Sequence, residues 1–84
     1  MRRFEAHPSV RLRLQRLADE FDLVAPGRGE EFLLAVGATF ERIAENPESW
    51  PVVHGPLRLH HVPDFPVAVF YEVTDDDVYI LGVE

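Results

Sequence analysis

The sequence predicts an α+β domain of order β-α-α-β-β-β, a helical hairpin packed on one face of a mainly antiparallel sheet. Three observations carry this. Two apolar stripes of helical period lie on either side of a Pro-Gly turn. The C-terminal third is rich in β-branched and aromatic residues divided by turn signals. With 84 residues and 46% hydrophobic content, the chain is one globular domain, residues 1–84, rather than a disordered tail or a multidomain array.

The dominant element is the stretch Glu30 to Pro51. Phe32, Leu33, Val36, Phe40, Ile43 and Ala44 recur at helical spacing, while Glu31, Thr39, Arg42 and Glu45 lie elsewhere on the wheel. Asn46-Pro47 stops the run, because a residue before proline is pushed out of the α region. A single stripe on a helix of ~16 residues needs a cover in water. The C-terminal third of the chain supplies strands fit to provide it, and a first helix precedes this one. His7-Pro8-Ser9 opens that helix, and Val10, Leu14, Leu17, Phe21 and Val24 form its stripe, with Leu12 off it. It ends near Leu23, before Ala25-Pro26. Pro26-Gly27-Arg28-Gly29 then makes a tight turn, where glycine accommodates positive φ. Glu30 and Glu31 fall in the first turn of the second helix, favourable to its dipole.

Arg2 to Ala6 reads as a short strand with Phe4 its only large apolar residue. Glu48 to Pro56 reads as a loop held by Trp50. Leu57–Val62, Val67–Val73 and Val78–Val83 are the later strands, separated by Pro63-Asp64-Phe65-Pro66 and by the turn Thr74-Asp75-Asp76-Asp77. The pooled stripes predict one core containing Leu14, Leu17, Phe21, Phe32, Val36, Phe40, Ile43, Val69 and Phe70. The hairpin covers one sheet face only. The other face and an open sheet edge are expected to expose some of Leu59, His61, Ala68, Phe70, Tyr79 and Leu81, and to invite a partner strand or a second copy.

Charge and composition exclude several function classes. The chain has no cysteine, so disulfides and thiolate metal sites are out. No apolar run reaches the ~18 residues of a membrane span, and no signal peptide is visible; a cytoplasmic protein with no membrane contact is expected. The net charge of −7 is uneven: residues 1–16 hold five Arg and one Glu, while residues 17–84 hold three Arg and fourteen acids. That sign disfavours non-specific nucleic-acid binding. The basic N-terminal stretch reads as a solvated helix face or a contact for an acidic partner.

The blocks PGRG, EEFLLAV, FERIAENPESWPVVHG, FPVAVFYEV and VYILGV, in this order, resemble the RelE/ParE toxin superfamily. The resemblance covers nearly the whole chain. It implies the RelE/ParE-like fold and a bacterial toxin of a type II toxin–antitoxin pair, with the growth inhibition and plasmid stabilisation attached to such systems. RelE-like members cleave mRNA on the ribosome, ParE-like members inhibit DNA gyrase, and a cognate antitoxin segment wraps and neutralises either kind. A homodimer or a hetero-oligomer with the antitoxin is the implied assembly. Where the family often has basic residues before the FP block, this sequence has Pro63 and Asp64, and the FPY of the family is Phe65-Pro66-Val67. Many members carry a His/Arg-containing tail after the last strand, where this sequence stops at Glu84. Arg58 matches a typical family arginine.

RNA cleavage needs cations for the phosphate and a proton donor for the leaving oxygen. The candidate catalytic residues are Arg58, His60 and Tyr71, with His54 and His61 as further groups. Arg58 and His60 share one strand face and His61 takes the other. The plainer reading makes Arg58 a surface charge and the histidines half-buried strand residues. No ligand spacing for a metal is recognisable, Asp75-Asp76-Asp77 lacks the rest of a calcium loop, and no cofactor motif is present. The acidic balance and the missing basic tail favour a ParE-like or non-nucleolytic member. The alternatives are a RelE-like endoribonuclease using Arg58 and His60, or a degenerate homologue that only binds a partner.

Overall fold

A computed structural model describes residues 2–84. The elements run β1 (Arg3–Ala6), α1 (Ser9–Val24), α2 (Arg28–Glu45), β2 (Val52–His54), β3 (Leu57–His61), β4 (Ala68–Val73) and β5 (Asp77–Val83). The two helices are therefore followed by four strands rather than three. The loop expected over residues 48–56 contains the short strand β2, which pairs with β3 through an irregular register between Val52 and His54.

The helix boundaries follow local chemistry. His7 Nδ1 accepts the amide of Ser9 at 3.1 Å and lies 2.7 Å from its hydroxyl, which fixes the entry into α1. Ala25 is extended, as a residue before proline must be, and Gly27 takes φ 87°. The expected four-residue turn is shorter, because Arg28 and Gly29 already belong to α2. Glu30 and Glu31 lie in the first turn of α2 and Arg42 in its last, all three placed to suit the dipole.

The sheet order is β1-β5-β4-β3-β2. Only β1 and β5 are parallel; the other three pairs are antiparallel. The last strand is thus interior, and the open edges belong to β1 and β2. On β4, Val69 and Tyr71 face the helices and are fully buried. Across the sheet they join Val78, Ile80 and Val83 of β5 against Phe32, Val36 and Ile43 of α2 and Val10 and Leu17 of α1. Phe21, Phe32 and Phe65 form a triangle with ring centroids 5.0–5.1 Å apart, closing the core near the helical turn.

Several expected core positions differ, each for a physical reason. Phe70 follows Val69 directly and so takes the opposite face, where it pairs with Leu59 and Gly82 and is half-buried. Phe40, like Leu14 and Phe21, packs against the core as expected but is half-buried, set against Phe4 at 5.6 Å. Thr39, read as off the stripe, is completely buried; its hydroxyl donates to the Ala35 carbonyl at 2.9 Å and needs no water. Val24, read as the end of the α1 stripe, is 82% exposed. Leu33 and Ala44 lie on the margin of the α2 stripe and are exposed. On the uncovered sheet face, Leu59, Phe70, Tyr79 and Leu81 are half-buried, His61 is exposed and Ala68 is buried.

Candidate functional site

Antiparallel register places the three candidate catalytic residues together. Arg58 lies opposite Tyr71, and His60 lies opposite Val69, so all three occupy the helix-side face of the sheet near the end of α2. The chain leaving α2 crosses this point. Asn46 and Pro47 end the helix, and residues 46–51 turn back over β3.

Each candidate is engaged with that turn. The Arg58 guanidinium donates through Nη1 to the carbonyls of Glu48 at 3.1 Å and Trp50 at 2.7 Å. The Tyr71 hydroxyl, fully buried, donates to the Pro47 carbonyl at 2.7 Å. His60 is buried; its Nδ1 lies 2.6 Å from the His61 carbonyl, and its ring packs on Trp50 with centroids 4.1 Å apart. The Nε atoms of Trp50 and His60 are both buried without a hydrogen-bond partner. Three carbonyls between Pro47 and Trp50 are thus held by two side chains, and an aromatic pair closes the end. Chemically this is a staple for a proline-containing loop, with its one cation committed to backbone oxygens.

Burial pushes the Tyr71 phenol above its ordinary pKa of 10.0, while the neighbouring Arg58 charge pulls it down by less. A raised folded-state value means that the neutral phenol supports the fold below pH ~10 and that this support is lost as pH rises through the folded-state value. Tyr71→Phe should therefore flatten the alkaline limb of a stability–pH curve. At neutral pH it should cost about 1–3 kcal/mol by leaving the Pro47 carbonyl buried and unpaired. Urea melts at pH 7 and pH 10.5 check both parts, and a variant with the wild-type alkaline slope would remove Tyr71 as its source.

The remaining polar candidates are dispersed. His54 sits exposed on the β2 edge and His61 exposed on β3. Among the described residues no group of three potential ligands is placed to hold a metal. The Asp75–Asp77 turn is closed by the Thr74 hydroxyl accepting the Asp77 amide at 3.0 Å and by Arg3 pairing with Asp77 at 2.9 Å. Arg2 pairs with Glu48 and donates to the Thr74 carbonyl at 2.9 Å, so both N-terminal arginines serve the sheet end. Sequence reasoning missed these roles, because a carbonyl acceptor has no residue signature.

An apolar surface feature also lies along the helical hairpin. A shallow groove of ≈470 Å³ runs between α1 and α2, floored by Val10, Leu14, Leu33 and Phe40, with Arg11 at its rim. Phe4 beside it is 38% exposed and Leu34 of α2 is 69% exposed. A groove with this lining suits a peptide's apolar side chains better than a small polar substrate.

The family model of the ParE toxin of the type II toxin–antitoxin system parDE matches residues 4–84. The chain belongs to the ParE toxin family. A structure of the chromosomal ParDE TA system from P. aeruginosa has the same fold, with a TM-score of 0.87 at 11% identity, over 100% of this chain and 95% of that one. No curated protein sequence matches the chain. Membership places this ParE-family chain in the RelE/ParE superfamily and makes it a toxin-family component of a type II system. No helix among the described residues is long and apolar enough to cross a membrane.

Proposed function

We propose that this chain is a growth-inhibiting toxin that acts by binding a protein target, DNA gyrase, rather than by cutting RNA, and that a cognate antitoxin neutralises it. The observation that carries this reading is the use made of Arg58, His60 and Tyr71. A ribonuclease needs a free cation and an accessible proton donor at the phosphate. Here the cation is bound to the carbonyls of Glu48 and Trp50, and the phenol is buried on Pro47. The net charge of −7 adds repulsion toward an RNA-rich surface. Family membership supports the gyrase reading over the ribosomal one.

The antitoxin is expected to bring an amphipathic segment to the hairpin groove of Val10, Leu14, Leu33 and Phe40 and to the exposed apolar side chains beside it. The uncovered sheet face, with Leu59, Phe70 and Tyr79 half-buried, offers a second surface of the same character.

Purified protein added to a gyrase supercoiling assay should inhibit, and co-purified antitoxin should reverse the inhibition. Arg58→Ala should lower the melting temperature while the protein that remains folded still inhibits. Ribosome-dependent cleavage of mRNA by the wild type, abolished in a folded Arg58→Ala variant, would overturn this reading in favour of the RelE-like one.

A further inference from the structure

Helix α1 has a second face that its packing leaves unused. Opposite its buried stripe stand Leu12, Arg16, Asp19 and Leu23, spaced by four, three and four residues. That is the spacing of a helix–helix seam rather than of a random polar surface. All four are exposed, Leu12 by 55% and Leu23 by 88%.

The charges on this helix run against its own dipole. Arg11, Arg13 and Arg16 fill the N-terminal half, and Asp19, Glu20 and Asp22 the C-terminal half. No acid lies in the first turn and no base in the last. Each such placement near a helix end is unfavourable to the isolated helix. The six do not compensate one another, since among the described residues no ion pair joins any two of them. Their contacts are weaker: Asp19 accepts from Gln15 at 3.0 Å, Asp22 from the Gly29 amide at 2.8 Å, and Arg13 donates to the Val83 carbonyl at 3.3 Å.

The pattern is complementary to its own reverse. A two-fold axis crossing α1 between Leu17 and Ala18 brings Leu12 level with Leu23 of a second copy, and Arg16 level with Asp19. These are the alternating layers of an antiparallel helix pair. Along one flank Arg13 then meets Glu20, and along the other Gln15 meets Asp22. No like charges face each other. A uniformly acidic ligand meets repulsion at Asp19 and Glu20, and a uniformly basic one at Arg13 and Arg16. We propose that a second copy of this chain docks antiparallel on the outer face of α1, through a seam of Leu12, Arg16, Asp19 and Leu23.

The contact is isologous, so every interaction occurs twice. A 16-residue helix is about 24 Å long, so the seam is smaller than a standard interface of roughly 1,200–2,000 Å². The dimer is accordingly reversible, forming at roughly micromolar concentrations and above. Its exposed ion pairs select the antiparallel register more than they add affinity. None of Leu12, Arg16, Asp19 and Leu23 lines the hairpin groove, and the seam does not depend on the antitoxin reading.

Sedimentation equilibrium of the full chain, without antitoxin, tests this. The wild type should show a monomer–dimer equilibrium that weakens as salt rises from 0.1 M to 1 M. Arg16→Asp alone sets Asp against Asp19 of the other copy, and Asp19→Arg alone sets Arg against Arg16. Each should weaken self-association at least about tenfold with an unchanged circular dichroism spectrum. The two single variants mixed in equal amounts should form a heterodimer, and the doubly reversed chain should dimerise like the wild type. A wild type that stays monomeric to ~1 mM would overturn the proposal. So would a dimer insensitive to both reversals, or two singly reversed chains that fail to associate when mixed.

Discussion

Phe32→Ala is expected to destabilise the domain by about 3–5 kcal/mol. The side chain is completely buried and touches the phenyl rings of Phe21 and Phe65 at centroid distances of 5.0 and 5.1 Å. Its removal leaves a cavity where α1, α2 and the turn before β4 meet, and none of the three can close on it alone. A domain of this size has only a few kcal/mol in reserve. At about 4–8 °C per kcal/mol, the melting temperature should fall by more than about 10 °C. Phe40→Ala provides the contrast. Phe40 is half-buried and leans on the exposed Phe4, so its loss should cost less than half as much. Thermal melts of the two variants side by side check the ordering. Equal losses would show that the hairpin groove packs as tightly as the core.

Gly29→Ala is the second large expected effect, and it acts through the backbone. Gly29 packs against α1 so closely that an added methyl would lie 2.8 Å from Asp22 Oδ2 and closer still to the Ala18 carbonyl oxygen. A rigid helix backbone cannot yield to a single methyl as a flexible side chain can. The same contact carries the hydrogen bond from the Gly29 amide to Asp22 Oδ1 at 2.8 Å. Forcing the helices apart at this end would break that bond and disturb Arg28, which stacks 4.0 Å from the Phe65 ring and donates to the Asp64 carbonyl. Overpacking of this kind costs about 1–3 kcal/mol and more where backbone is involved. Gly27→Ala is the control for conformation alone: its φ is 87°, yet nothing lies within 4 Å of an added methyl. Urea denaturation should show Gly29→Ala as the weaker protein. The reverse order would mean that left-handed geometry, not helix approach, limits the turn.

The elements most legible in the sequence were those whose period and punctuation agree. The helices around Pro26-Gly27 and the strands around Asp75-Asp76 needed no tertiary information. The misplaced residues share a cause. Thr39 looks polar to any hydropathy pattern, but its hydroxyl is satisfied within its own helix, so burial is cheap. Val52 to His54 stand between prolines and become strand only because Arg58 lies beside Val52 and Leu57 beside His54. Arg58 and His60 are recognisable as a same-face pair from strand alternation, and Tyr71 joins them only through the register of β3 with β4. Their engagement with residues 47–50 is not recognisable in this way, since it depends on where a loop folds back. Gly29 was read as a turn glycine, whereas its lack of a side chain serves the helix crossing.

The parallel pairing of β1 with β5 has a kinetic consequence. Arg3 aligns with Asp77, so almost the entire chain separates the two strands that complete this side of the sheet. The helical hairpin and the β4–β5 hairpin are joined by short turns and close quickly. β1 must wait for a loop of some seventy residues to close before any of its ladder bonds reward the lost entropy. While a ribosome is still synthesising the chain, β1 has no β5 to join. The exposed flank of β5 is then the last surface to be sealed, and it is sealed by the first residues to have been made.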